Sequence, residues 1–305
     1  MNYQNNQLSM GEGDTPLIRL INLEKYFDWQ GQIWAKAEYL NPTGSFKDRG
    51  TIGEINAALK LNKSGLVCAS TGNMAASLAA YAAKILLPCY VVVPKSTPEG
   101  KLRLAQMCRA KIIRIDGVYD NCVQKAEQLA IDKNYYLCGD YKIRRIGQTS
   151  IGSELANSKI KFDAFICPVG NGTVGCAICA GFASEKLSPK FIGVQGEGAD
   201  SIYQAWIKGS SIVRTIELPS TVASAMNVGK PLDGKLTLKW IKRTSGEMVS
   251  VTNDEIILAQ SLLAKLEGIY VEKASAATVA ALRCIDTSKW TVVLILTGNG
   301  LKENF

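Results

Sequence analysis

From Leu66 onward the chain alternates short apolar runs with segments of helical period, and this constrains the fold more than any other feature. Residues 66–69, 89–93, 111–115 and 135–138 read as strands, separated by helices at 74–85, 101–109 and 121–133. Residues 141–148 read as a polar, basic loop. After it come helix 150–157, strand 164–167, helix 174–184 and strand 191–195, then helices near 201–207, 236–243, 254–266 and 274–283, and a last strand at 291–296. Parallel strands need long crossovers, usually helical, and are buried on both faces, so they read as short continuous apolar runs. The pattern predicts an α/β architecture: two three-layer αβα domains with mostly parallel sheets, the layers meeting near 140–150. Before it lie the turn at 11–17, a strand at 32–38, and a helix carried by Ile52, Ile55, Ala58 and Leu59 at helical spacing.

Composition excludes several functions. At 305 residues, 47% hydrophobic and 20% charged, the chain has the make-up of an ordinary globular enzyme. Its longest apolar region, 66–93, is interrupted by Asn73, Lys84 and Pro88, and residues 1–13 lack a signal-peptide pattern; a cytoplasmic protein with no membrane partner is expected. There is no histidine, which rules out Ser-His-Asp, Cys-His and His-metal mechanisms within one chain. The nine cysteines, such as Cys68, Cys89, Cys167 and Cys284, read as reduced core residues. Cys176 and Cys179 have metal spacing but no second pair, so no metal is expected. The net charge of +8 is dispersed. Its densest cluster, Lys142, Arg144 and Arg145, has only Tyr141 as an aromatic neighbour, which argues against nucleic acid and suits an anionic cofactor and substrate.

Open parallel sheets bind ligands beyond the carboxyl ends of their strands, and the candidate chemistry lies in such loops. Asn41-Pro42-Thr43-Gly44-Ser45-Phe46-Lys47-Asp48-Arg49-Gly50 reads as a tight turn feeding a helix, with Ser45 and Asp48 spaced as a capping box. Lys47 then falls in the first helical turn, where an ammonium is disfavoured, and is a candidate nucleophile or Schiff-base former; the plain reading is a solvated surface lysine. Ser70-Thr71-Gly72-Asn73 opens a helix and could receive a carboxylate, or simply supply a cap from Thr71 or Asn73. Gly170-Asn171-Gly172-Thr173 offers backbone N–H groups to a phosphate. Read with Gly175 and Glu197, the same run matches a dinucleotide fingerprint, so a NAD-dependent Rossmann oxidoreductase stays open here. Thr297, at the end of the last strand, could meet a ring nitrogen as a neutral partner, or close a terminal turn. Residues 272–277 read as a cap at Ser275 beside a surface acid, and no chemistry is assigned to them.

The decapeptide around Lys47 resembles the cofactor-lysine segment of threonine synthases, within the wider pyridoxal 5'-phosphate (PLP) family that includes threonine dehydratase and cysteine synthase. Five segments in the family's order, from Gly11 to Lys302, carry the resemblance. It implies a fold type II (tryptophan synthase β-like) lyase, a homodimer with PLP in the cleft between a smaller domain at 36–145 and a larger PLP-binding domain at 1–35 and 146–305. It further implies that Lys47 forms the Schiff base and shuttles protons, and that Asn73, Gly170, Asn171, Gly172, Thr173 and Thr297 bind the cofactor. Ser70, Thr71, Gly72 and Asn73 would bind the substrate carboxylate, and Arg144 the substrate phosphate. The implied reaction takes O-phospho-L-homoserine and water to L-threonine and phosphate. Departures from the family pattern fall at Tyr141 and Lys142, where Asn-Pro is frequent, at Met74, where threonine is common, and at Asn299, where histidine is usual. They leave open a β-replacement or elimination enzyme acting on serine, O-phosphoserine or O-acetylserine, and a catalytically silent paralogue.

Overall fold

A computed structural model describes residues 8–117, 119–285 and 288–303. The strands in chain order are β1 (Leu17–Arg19), β2 (Gln32–Lys36), β3 (Gly65–Ala69), β4 (Cys89–Pro94), β5 (Lys111–Ile115), β6 (Tyr135–Cys138), β7 (Ala164–Pro168), β8 (Lys190–Gly196), β9 (Glu247–Val251) and β10 (Thr291–Ile295). The helices are α1 (Ile21–Tyr26), α2 (Lys47–Lys60), α3 (Asn73–Lys84), α4 (Glu99–Met107), α5 (Tyr119–Asp132), α6 (Lys142–Ala156), α7 (Thr173–Ser184), α8 (Ser201–Ile207), α9 (Gly234–Arg243), α10 (Asn253–Glu267) and α11 (Lys273–Ala280). Two compact units result, one built from residues 8–13 with Asn41–Gln148, the other from Asp14–Leu40 with Thr149–Glu303.

The first unit holds a four-stranded, all-parallel sheet in the order β5-β4-β3-β6. Every residue of β3 is buried, and its side chains alternate between two cores. Leu66 and Cys68 pack with Ile55 and Ala58 of α2 and Leu78 and Ala82 of α3. Val67 and Ala69 pack on the other face with Cys122, Ala126 and Leu129 of α5. Covering both faces with helices explains why the strand reads as an unbroken apolar run.

The second unit holds a six-stranded sheet in the order β1-β2-β10-β7-β8-β9, parallel except for β1 against β2. Ala164 and Ile166 of β7 face a core shared with Ile192, Val194, Val292 and Leu294. Phe165, between them, stacks on Phe191 with centroids 4.8 Å apart on the opposite face. Each such side chain, fully buried, contributes about 1.5–3 kcal/mol.

Three local expectations are corrected. Residues 141–148 are not a loop: α6 begins at Lys142, and Arg144 and Gln148, one turn apart, are both fully buried. A charged residue facing inward hides the helical period. The Ser45–Asp48 capping box does not form either. The residue before α2 is Phe46, and the Asp48 carboxylate instead accepts from the Thr43 backbone N–H at 2.8 Å and its hydroxyl at 2.5 Å. Finally, the strand expected over 32–38 stops at Lys36, and Glu38–Leu40 form a 3-10 turn. The elements α1 and β9 were not anticipated.

Candidate active site

The Lys47 segment is fixed before its helix starts. Gly44 takes a φ of +77°, which glycine adopts without steric cost, and its N–H closes a turn onto the Asn41 carbonyl at 2.7 Å. Asp48 ties the same turn to the first turn of α2 through Thr43. Lys47 is thereby the first residue of α2, and its Nζ donates to Asp140 Oδ1 at 2.7 Å while lying 5.0 Å from the centroid of the Phe46 ring. The two side chains are 16% and 14% exposed. Asp140 follows β6 and precedes α6. No motif marks it, and it lies 93 residues from the lysine, so sequence spacing carried no sign of the pair.

A second charge pair lies along the same helix. Thr51 and Glu54 stand one and two turns beyond Lys47, on one face of α2. Glu54 accepts from the Gly139 N–H at 2.9 Å and forms an ion pair with Arg144. Arg144 also donates to the Lys47 carbonyl at 3.1 Å and to Thr51 Oγ1 at 3.3 Å. Burial pushes the Glu54 carboxyl up from its ordinary value, against the opposing pull of Arg144 and the Gly139 N–H. Burial also works against the Arg144 charge, yet Glu54 and Asp140 hold the guanidinium above its ordinary value.

Arg144 therefore sits differently from a side chain waiting for a substrate phosphate: it is 0% exposed and committed to Glu54, Thr51 and the backbone of Lys47. Glycine permits this closeness. A Cβ at Gly50 would collide with the Arg144 side chain, and one at Gly147 with the Arg49 carbonyl.

Ser70, Thr71, Gly72 and Asn73 join β3 to α3. The residue before the helix is Gly72, which has no side chain with which to cap it. The Gly72 N–H reaches Ser70 Oγ at 3.3 Å. Ser70, Thr71 and Asn73 are half-buried, Gly72 is exposed, and Met74 is buried behind them.

In the second unit, Gly170, Asn171, Gly172 and Thr173 join β7 to α7. Gly172 has a φ of +88°, and a Cβ there would collide with Thr237 Oγ1. At Gly170 a Cβ would lie 2.9 Å from the Ala225 carbonyl. Asn171 is drawn to the chain before α9: its Oδ1 accepts from the Leu232 N–H at 3.3 Å and its carbonyl from the Asp233 N–H at 2.9 Å. Thr173 is 4% exposed, and its hydroxyl has no partner among the described residues. No acidic residue lies in the first turn of α7. An unpartnered buried hydroxyl at a helix N-terminus, with glycines bringing backbone close, fits a phosphate.

Thr297 follows β10 and is buried. Its Oγ1 lies 3.1 Å from Ser275 Oγ, and Ser275 accepts from the Gly298 N–H at 3.0 Å. Glu272 covers Gly298, where a Cβ would collide with its carboxylate. The run 272–277, to which sequence reasoning gave no chemistry, thus holds the Thr297 loop. Ser275 close behind Glu272, at the start of a helix, was the available signal.

Gly175, third of the dinucleotide-like glycines, lies where a Cβ would collide with the Phe191 ring, a packing role. Glu197 is exposed, and β7 is an interior strand between β10 and β8.

A family model described as pyridoxal-phosphate dependent enzyme matches residues 8–298. A threonine synthase of Methanocaldococcus jannaschii is 38% identical, across 97% of this chain and 76% of that protein. One from Bacillus sp. (strain ULM1) is 34% identical, across 99% of this chain and 87% of that protein. Among solved structures, maize serine racemase superposes with a TM-score of 0.84 at 20% identity, covering 94% of this chain and 88% of that one, a likeness of fold.

Proposed function

The chain belongs to the pyridoxal-phosphate-dependent enzyme family, with its type II fold, and from that premise we propose that it converts O-phospho-L-homoserine and water into L-threonine and phosphate. The observation that carries this is the 38% identity to a threonine synthase across 97% of the chain.

The residues present fit the cofactor. Thr173, with its unpartnered hydroxyl, and the backbone of Gly170, Asn171 and Gly172 would hold its phosphate. Thr297, oriented by Ser275, would meet its ring nitrogen as a neutral partner. Lys47 would supply the amine to which it attaches, and Asn73 would lie at its phenolic oxygen. Once bound, PLP supplies the electron sink that makes carbon–hydrogen bonds next to the substrate nitrogen acidic.

The chain's own residues supply orientation and proton transfer. Ser70, Thr71, Gly72 and Asn73, at the start of α3, receive the substrate carboxylate. Lys47 removes the proton at the substrate α-carbon and then one at the β-carbon, and phosphate leaves the γ-carbon. A proton is then delivered to the γ-carbon, the oxygen of water bonds to the β-carbon as water gives up a proton, and the α-carbon is reprotonated. Arg144, held on Glu54, donates to the carbonyl of Lys47 and so steadies the lysine's backbone.

The substrate is a small amino acid. We further read the protein as a cytoplasmic homodimer; the free thiols of all nine cysteines support a reducing compartment, and the dimer rests on the family resemblance. The test is to mix the PLP-loaded protein with O-phosphohomoserine and follow phosphate and threonine together. Both products are expected, and both are lost in Lys47→Ala. A PLP-loaded protein that makes neither product redirects the reading to serine, O-phosphoserine or O-acetylserine as substrates, consistent with the departures at Met74, Tyr141 and Lys142.

A further inference from the structure

We propose that Asp140 is a positioning residue for the reaction: the carboxylate on which the Lys47 ammonium rests whenever its nitrogen is not bonded to the cofactor. The proposal rests on the reading of Lys47 as the cofactor lysine.

An exposed lysine–carboxylate contact would carry no such meaning, because two long, freely rotating side chains gain little from meeting in water. This pair differs in how its two ends are held. The Lys47 backbone is fixed by Arg144, which donates to the Lys47 carbonyl at 3.1 Å. Asp140 is fixed from behind, because the Gly139 N–H donates to Glu54 at 2.9 Å. Glu54 and Arg144 are themselves paired, and their side chains are 1% and 0% exposed. One buried pair therefore holds α2 and the β6–α6 junction together, and Lys47 and Asp140 meet at 2.7 Å as the visible end of that clamp. The backbones that carry both side chains are therefore held in place before the two charges meet.

The chemical consequence concerns the nitrogen. An ammonium has no lone pair for an incoming carbon, so Nζ must leave Asp140 and give up a proton to water before it bonds to carbon, and it takes a proton back from water when it is released. Conversely, each time the lysine is released, Asp140 gives the ammonium one defined place to return to. The carboxylate holds the charge without taking the proton.

The test compares the full chain as wild type, Asp140→Asn, Asp140→Ala and Asp140→Glu, each checked for an unchanged melting transition. After the cofactor is stripped, each protein is treated briefly with acetic anhydride, and the acetylation of Lys47 is read by mass spectrometry against the exposed Lys60 on the same helix. Asp140→Asn and Asp140→Ala are expected to raise the Lys47-to-Lys60 ratio about fivefold, the factor an ion pair of this exposure sustains. Asp140→Glu is expected to return the ratio towards wild type. In the reloaded enzyme, Asp140→Asn is expected to lower kcat with KM little changed.

An unchanged ratio in both Asn and Ala variants would overturn the proposal. If the variants prove unstable, the wild type supplies a second reading. Its Lys47 must acetylate more slowly than Lys60 when folded and equally in urea, and equal rates when folded also overturn it. Borohydride reduction of the loaded wild type, followed by peptide mapping, tests the underlying reading separately. Cofactor fixed on a lysine other than Lys47 removes that reading whatever the acetylation ratio shows.

Discussion

The two units solve their shares of the chemistry with opposite materials. Around Lys47 the groups are ionic: Lys47 with Asp140, Arg144 with Glu54, and Asp48 drawn onto Thr43. Around Thr173 and Thr297 the donors are neutral: backbone freed by glycines, the Thr173 hydroxyl, and the Ser275–Thr297 hydroxyl pair, with the Glu272 carboxylate set behind them against Gly298. On the proposed reading the first region moves protons and the second holds a phosphate and a ring, so ionic side chains stand at the one and hydroxyl and backbone N–H donors at the other. The difference lies in what each region would lose: paired charges in one, single hydrogen bonds in the other. It predicts different failures when each region is cut.

The largest effect should come from breaking the buried ion pair. Arg144→Met leaves Glu54 buried against the Gly139 N–H without a cation, and removing one partner of such a pair costs about 3–5 kcal/mol. Urea unfolding of the cofactor-free protein reads this directly. The double variant Glu54→Leu with Arg144→Met removes both charges and should recover most of the loss, since apolar side chains of similar volume often replace a buried pair at little cost. A single variant that costs less than ~1 kcal/mol would mean the pair is not buried in solution, and the contrast between the units would weaken with it.

Cutting the neutral region should spare the fold and release the cofactor. The Thr173 hydroxyl has no partner among the described residues, so Thr173→Val should take nothing from the cofactor-free chain. Against a bound phosphate it removes a hydrogen bond to a charged group, worth roughly 1.5–3 kcal/mol, or about 10- to 150-fold in the dissociation constant of PLP. Equilibrium dialysis measures that ratio and melting of the cofactor-free protein measures the rest. A large drop in cofactor-free stability with unchanged affinity would reverse the assignment. Gly172→Ala is a harsher cut of the same loop. It should lower both quantities, because the residue needs a left-handed φ and the new methyl meets Thr237.

How far these regions were legible in the sequence follows from their materials. The neutral loops announced themselves, because glycines, hydroxyls and helix starts are local signals: Gly170, Gly172, Thr173 and Thr297 all sit at the ends of strands that read as strands. The parallel sheets were legible for the same reason, as β3 and β7 are unbroken apolar runs between helices. The charged region was half legible. Lys47 stands in a motif, whereas Asp140 and Glu54 look like any surface acids until folding brings them to their partners. Arg144 misled once, suggesting a loop by its polarity, because nothing local shows that a carboxylate waits inside for it. The capping box failed for a related reason: Asp48 had a nearer use in pinning Thr43. Long-range pairs between ionic groups are set by tertiary contact, and one sequence does not display them.

The smallest expected effect sharpens the comparison most. Ser275→Ala removes a hydroxyl that accepts from the Gly298 N–H at 3.0 Å and shares a hydrogen bond with Thr297 Oγ1 at 3.1 Å. All of these partners are neutral, so the loss should be ~1 kcal/mol in stability. The Thr297 hydroxyl stays in place but loses the neighbour that orients it, so PLP should bind a few-fold more weakly and its visible absorption should shift as the ring nitrogen loses a fixed partner. Melting of the cofactor-free protein and equilibrium dialysis with PLP measure the two changes separately. An unchanged PLP affinity in Ser275→Ala would mean that the Thr297 hydroxyl needs no orienting neighbour, and would part the hydroxyl pair from the cofactor's seat.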